Sequence, residues 1–235
     1  TAWARLLALD PRTAHARLYV GPTVGLGGYP APFTEALRRA GVVWPGQPDD
    51  KGVAAGWRGE TGIDLDTWFA QNQRLTHYLV DALLAGLRAG DTDLVLGYLP
   101  ALDQAGHLLL LEDPRQPRWS AARAAELRRM RERVWQMVDA ELGRLLDAVD
   151  LRSTTVLVVS DHGMQPVHTT IDLNAVLERA GLLAFAAPER IDPNRTSAWA
   201  VGYGGVAHVY LNVAGREPAG IVAEADAPAL AERVR

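Results

Sequence analysis

The sequence predicts an α/β chain with a mainly parallel sheet covered by helices on both faces. Two short apolar runs, Asp93 to Leu99 and Thr154 to Ser160, are rich in Leu and Val without alternation, the pattern of strands buried on both faces. Stretches of helical period precede, separate and follow them. That order of helix, strand, helix, strand, helix implies right-handed crossovers between parallel strands.

The elements follow in chain order. Residues 1 to 64 read as a variable or insertion region. From Gly21 to Gly62 the chain is crowded with Gly and Pro, so mostly loop is expected, with a short helix near Phe33 to Ala40. The core portion spans residues 65 to 235. From Leu65, apolar residues Trp68, Leu75, Tyr78, Leu79, Ala82, Leu83 and Leu87 recur at helical spacing, with Gly90 as a stop. The first apolar run ends at Pro100. A second long helix is expected from Ser120 to Val149, striped by Leu127, Met130, Val134, Met137, Val138, Leu142, Leu145 and Leu146. Its Arg cluster has Glu126, Glu132 and Glu141 interleaved at pairing distance, which reads as a solvated face. The second apolar run leads to a helix at Leu173 to Ala180, ended by Gly181. The chain starts inside an apolar-rich stretch, Ala2 to Leu9, and stops at Arg235 inside helix-like sequence, so an incomplete domain is expected.

Composition narrows the chemistry. The 235 residues, 48% of them hydrophobic, are enough to build a core. A net charge of -4 gives no global attraction to nucleic acid or to an anionic membrane, and no nucleic-acid partner is expected. No apolar run reaches the ~18 residues of a membrane span. A soluble chain is therefore expected, with the cytoplasm preferred; nothing sets its oligomeric state. Cysteine is absent, which excludes disulfides, thiolate nucleophiles and Cys-ligated zinc, so any metal must bind through His and carboxylates. Lys51 is the only lysine, a coding bias rather than a binding signal.

In open sheets of this kind ligands gather at the carboxyl ends of the strands. After the first run stands Asp103-Gln-Ala-Gly-His107, a carboxylate and an imidazole four residues apart, on one face of a helical turn and able to hold one ion. Alone, that spacing is common by chance. After the second run stands Ser160-Asp161-His162-Gly163-Met164. Adjacent residues of a strand point apart, so convergence on one ion needs a turn, which Gly163 makes easy. The alternative is a capping Asp beside a surface His.

Taken together, these motifs resemble the type I phosphodiesterase and nucleotide pyrophosphatase family of the alkaline phosphatase superfamily. Ile171 to Asn174, Ala180 to Leu183 and Tyr210 to Val222 extend the similarity. The resemblance implies an alkaline phosphatase-like fold and two divalent ions, zinc by preference with manganese possible, roughly 4 Å apart around a phosphoryl group. Asp103 and His107 would hold one ion, Asp161 and His162 the other. The substrate would be a small phosphoester. The resemblance also calls for an upstream nucleophile and Asp and for a third His, none of which this chain matches cleanly. Thr23 lacks a partner carboxylate. His208 sits in a strand-like run, Val206 to Leu211, and reads as a strand residue; His168 is close enough to the Asp-His-Gly-Met turn to line a pocket; His15 and His77 have no context. The third His is expected beyond Arg235. A phosphomutase, a sulfatase or a non-catalytic interaction module are the competing readings. Residues 21 to 62 offer Tyr29, Phe33, Trp44 and Trp57 and almost no paired cations, which favours a diester over a monoester.

Overall fold

The computed structural model describes residues 3–10, 15–20, 31–39, 41, 44–88 and 93–234. They form two compact units, Thr1–His168 and Thr169–Arg235.

The first unit opens with an antiparallel hairpin of β1 (Ala4–Asp10) and β2 (His15–Val20), which the sequence reading did not anticipate. Helix α1 (Ala31–Arg39) matches the expected short helix. Helix α2 (Asp50–Trp57) was not expected in a region read as loop. Its local cause is Asp49, whose carboxylate accepts from Gly52 N at 2.8 Å and so satisfies a free amide of the first turn. The glycines that obscured it have a packing role: a Cβ on Gly62 would run into the Gly52 carbonyl of α2. Thr23, Tyr29 and the stop at Gly90 lie outside the described residues.

Helices α3 (Leu65–Arg88), α4 (Ala101–Leu109) and α5 (Ala121–Asp147) form the body of the unit. Along α5 the buried positions Leu127, Met130, Val134 and Met137 alternate three and four apart, as the predicted stripe requires, and Ser120 caps the helix by accepting from Arg123 N. These residues pack with Trp68 of α3, Ala105 and Leu109 of α4, and Val53 and Ile63. The inward face of α3 also carries Asn72 and Thr76, both buried. They tolerate burial partly by bonding back to their own helix, Asn72 Nδ2 to Trp68 O at 3.1 Å and Thr76 Oγ1 to Asn72 O at 2.8 Å.

The α5 arginines are held differently from expectation. Arg131 pairs with Glu112, Arg133 with Asp66 at 2.7 Å, and Arg123 lies over the Trp57 ring, so their partners come from elsewhere in the unit rather than from Glu126 or Glu132.

The mainly parallel sheet expected from the sequence is not shown among the described residues. Among the described residues the ladders are three separate two-stranded antiparallel sheets. Residues 94–99 and 154–160 carry no ladder and no regular secondary structure, and several of their apolar side chains lie open: Leu96 is 82% exposed and Val159 86%. A parallel strand needs hydrogen-bonding neighbours and cover on both faces. Neither segment serves as that neighbour for the other.

In the second unit, α6 (Leu173–Arg179) is capped by Asp172 and stopped at Gly181, whose φ of 70° suits glycine. A small hairpin of β3 (Phe185–Ala187) and β4 (Arg190–Ile191) follows, then a longer one of β5 (Ala198–Tyr203) and β6 (Val206–Leu211), and finally α7 (Ala227–Arg233). Leu177, Leu182, Leu183, Ala200, Val222 and Leu230 form its core. Two side-chain amides organise it. Asn174 exchanges both bonds with the Ala200 backbone, at 2.9 and 2.7 Å, like an extra strand residue. Buried Asn212 donates through Nδ2 to the carbonyls of Pro193, Thr196 and Ala219, at 2.7, 2.8 and 3.0 Å.

Candidate metal centre

Helix α4 begins at Pro100, whose fixed φ favours a helix start. Asp103 therefore stands in the first turn and His107 in the last, on one face, with His107 Nε2 3.5 Å from Asp103 Oδ1. The chain returns along this helix after residues 154–160. Met164 packs over Gly106, where an added Cβ would lie 2.7 Å from Met164 Cγ, so a side chain at this position would force the Met164 side chain to move.

That contact brings the second motif to the first. His162 Nε2 lies 3.8 Å from Asp103 Oδ1 and 3.6 Å from Asp161 Oδ2. All four residues singled out in the sequence are thus joined in one chain of near contacts, with His162 between the two carboxylates. They follow two segments without ladders, not the ends of laddered strands.

The local bonding orients His162. Its Nδ1 is 3.1 Å from Gly163 O; a carbonyl oxygen only accepts, so Nδ1 donates there, and Nε2 is the ring nitrogen directed toward the carboxylates. Ser160 Oγ donates to His162 O at 2.6 Å and His162 N donates to Asp161 Oδ1 at 3.1 Å, which bends the chain at the adjacent pair. Asp103 Oδ1 is buried without a hydrogen-bond donor. A buried carboxylate oxygen in that condition is costly unless positive charge meets it. The 3.5–3.8 Å separations are too long for hydrogen bonds and close to the spacing of two ligands about 2.0–2.1 Å from a shared ion. Even so, among the described residues no group of three or more His, Asp or Glu side chains is set to enclose one ion. The arrangement offers pairs, not a closed cage.

Tyr98 was not singled out in the sequence. Its phenol is pushed above the ordinary value, first by partial desolvation and then by the negative charges of Asp103 and Asp161. The signal was available in its position, two residues before the Pro100 helix start. His168 lies farther along, close enough for its charge to act on Asp113. Asp113 is held well below the usual carboxylate range by the Arg115 side chain and backbone N–H, with His168 a lesser influence. His208 is an exposed residue of β6, opposite Val201. His77, which had no context in the sequence, sits in a network joining α3 and α5. Its Nδ1 is 2.9 Å from Glu141 Oε1 and its Nε2 3.4 Å from Asp81 Oδ2. Arg144 bonds Glu141 and Asp81 at 2.5 and 2.6 Å.

The sequence profile of the type I phosphodiesterase / nucleotide pyrophosphatase family matches residues 17–235. The chain belongs to this family of hydrolases, which is generally metal-dependent. No curated protein and no solved structure matches it.

No helix among the described residues is long and apolar enough to cross a membrane.

Proposed function

We propose that this chain is the metal-binding portion of a two-metal phosphodiesterase or pyrophosphatase, acting on a small phosphoester. The observation that supports this most is the approach of His107 and His162 to the buried Asp103 Oδ1, which no hydrogen bond satisfies, with Asp161 next to His162 on its other side. The residues fit a divalent ion: the donor set is imidazole nitrogen and carboxylate oxygen, which suits zinc and also manganese.

In this reading Asp103 and His107 hold one ion and Asp161 and His162 the other. Such ions polarise the phosphoryl oxygens and stabilise charge on the entering and leaving oxygens. The chain's own residues supply the positions. Pro100 and α4 fix Asp103 and His107 four residues apart, Gly163 O holds the His162 imidazole with Nε2 toward the carboxylates, and Gly106 leaves room for Met164 where the second pair meets the first. The exposed apolar segments 93–99 and 154–160 support a further part of the proposal: the sheet is completed by a segment outside this chain, which also brings the nucleophile and the remaining Asp, with a further His supplied separately. No cationic clamp stands beside the four residues among the described side chains, which favours a diester or pyrophosphate over a monoester.

Zinc titration of the 235-residue chain by calorimetry tests the proposal. Binding is expected to weaken by more than about tenfold in both His162→Ala and Asp103→Ala, with helix content unchanged, because each removes a ligand rather than a supporting contact. Zinc binding indifferent to both substitutions would sink the assignment. Turnover of bis(p-nitrophenyl) phosphate by the chain alone, abolished in His162→Ala, would overturn the placing of the nucleophile outside it.

A further inference from the structure

Helix α4 carries both Asp103 and His107 on only nine residues, too few to be stable by propensity alone, and it starts at Pro100 without a side-chain cap. His107 lies in its last turn, where the carbonyls have no partners within the helix. The His107 side chain is 70% exposed, so packing does little to hold the ring and the backbone beneath it sets its place. Whatever fixes the end of α4 therefore fixes His107. On one side Leu109 is fully buried in the core. On the other, the chain leaves the helix at Leu110.

One side chain closes the loop beyond α4. Gln116 Oε1 accepts from Glu112 N at 2.8 Å and from Asp113 N at 2.9 Å, and Gln116 Nε2 donates to Leu110 O at 2.9 Å. These partners fix which end of the amide is which, because a backbone N–H only donates and a carbonyl only accepts. The clamp is itself held from behind. Gln116 N donates to Asp113 O at 2.9 Å and Gln116 O accepts from Trp119 N at 3.2 Å, while Pro117 restricts the backbone of the residue before it. Arg131 of α5 pairs with Glu112 and ties the same loop to the body of the unit.

We propose that Gln116 is a positioning residue for the metal centre: its amide ties the C-terminal end of α4 to the loop 110–119 and so keeps His107 beside Asp103. The bonding pattern calls for a carboxamide, which accepts twice at one atom and donates at the other. A carboxylate lacks the hydrogen for Leu110 O, and an ammonium lacks the acceptor for the two amides. Gln116 acts through α4 and not on the substrate. Its consequence for an ion rests on the metal-centre reading given above; its hold on α4 does not.

The test is amide exchange of the 235-residue chain without metal, followed by NMR, in Gln116→Ala and Gln116→Glu. Gln116→Glu keeps both accepted bonds and removes only the one to Leu110 O, so it isolates the tie on α4. Exchange of the His107, Leu108 and Leu109 amides is expected to speed up about tenfold in both variants, with the buried stripe of α5 unchanged. Val80→Ala truncates a fully buried residue of α3 and serves as the comparison for general destabilisation. It is expected to leave residues 107–109 in step with α5. Unchanged exchange at 107–109 in either folded Gln116 variant, or equally selective loosening in Val80→Ala, overturns the proposal. Zinc titration then reads the consequence at the histidine ring resonances. In Gln116→Ala the His107 ring is expected to need about tenfold more zinc for its shift, while the His162 ring titrates as in the parent chain. Equal weakening at both rings makes Gln116 a general stabiliser and overturns the role. A parent chain whose His107 ring ignores zinc defeats the metal-centre reading, and with it the role at the ion, while the exchange data still report the hold on α4, so the two failures are distinct.

Discussion

At the scale of single residues, the described site depends on which atoms are left without partners. Asp103 and His107 were legible because α4 needs only Pro100 and a helical period to bring them together. Asp161 and His162 were legible as residue types, but the turn that joins them is made by Ser160 and the Gly163 carbonyl, bonds that no spacing rule contains. Tyr98 and Asp113 show the same gap, since their perturbation arises from neighbours brought near by the fold. Asp113 yields a check with a definite sign. Its carboxyl is held below the ordinary range in the folded chain, mainly by Arg115. A depressed group contributes stability above its unfolded value, about 3.9, and loses it as pH falls through the folded one. In a carbon-detected acid titration, Asp113 is expected to stay ionised below about pH 4, where ordinary exposed Asp residues protonate. Arg115→Gln should return it upward; an Asp113 that titrates with the others in the parent chain contradicts the ion pair.

Elements were read with uneven success for a physical reason. Helices such as α3 and α5 declare themselves because their period is written in their own residues. A strand needs a neighbour, so Leu94 to Leu99 and Val156 to Val159 have strand composition without a sheet to join. Helix α2 was missed because its cap, Asp49, and its glycines also fit a loop, and its stabilising contact with Trp68, whose Nε1 donates to Asp50 Oδ1 at 2.5 Å, comes from α3. Gly106 is where an element and the site meet. Gly106→Ala raises helix propensity by about 1 kcal/mol yet drives a methyl into Met164. The expected outcome is a helix as stable as before, or more so, by thermal unfolding, with zinc affinity reduced about tenfold because Asp161 and His162 are pushed off α4. Undiminished zinc binding in a folded Gly106→Ala chain would show that the approach of the two segments is looser than described.

For the whole chain, the open apolar segments carry the largest consequence. Leu157, Val158 and Val159 expose most of their surface in a segment of strand composition that has no ladder. Such a segment is a template for pairing with another chain. The isolated 235-residue protein is expected to self-associate at micromolar concentration, and Leu157→Lys with Val159→Lys should shift it toward monomer in light scattering. A parent chain that stays monomeric at high concentration would argue that these residues are covered. Amide exchange offers the matching local picture, fast at 154–160 and slow along the buried stripe of α5.

Asn212 gives the second unit a reporter of its own. Two amide hydrogens on one nitrogen face three carbonyl oxygens, from Pro193, Thr196 and Ala219, inside a buried pocket. Solvent reaches those hydrogens only when the loops carrying the three carbonyls come apart. The Asn212 side-chain amide therefore acts as a spectroscopic clock for the opening of residues 169–235. Its two resonances persist for as long as that unit stays closed.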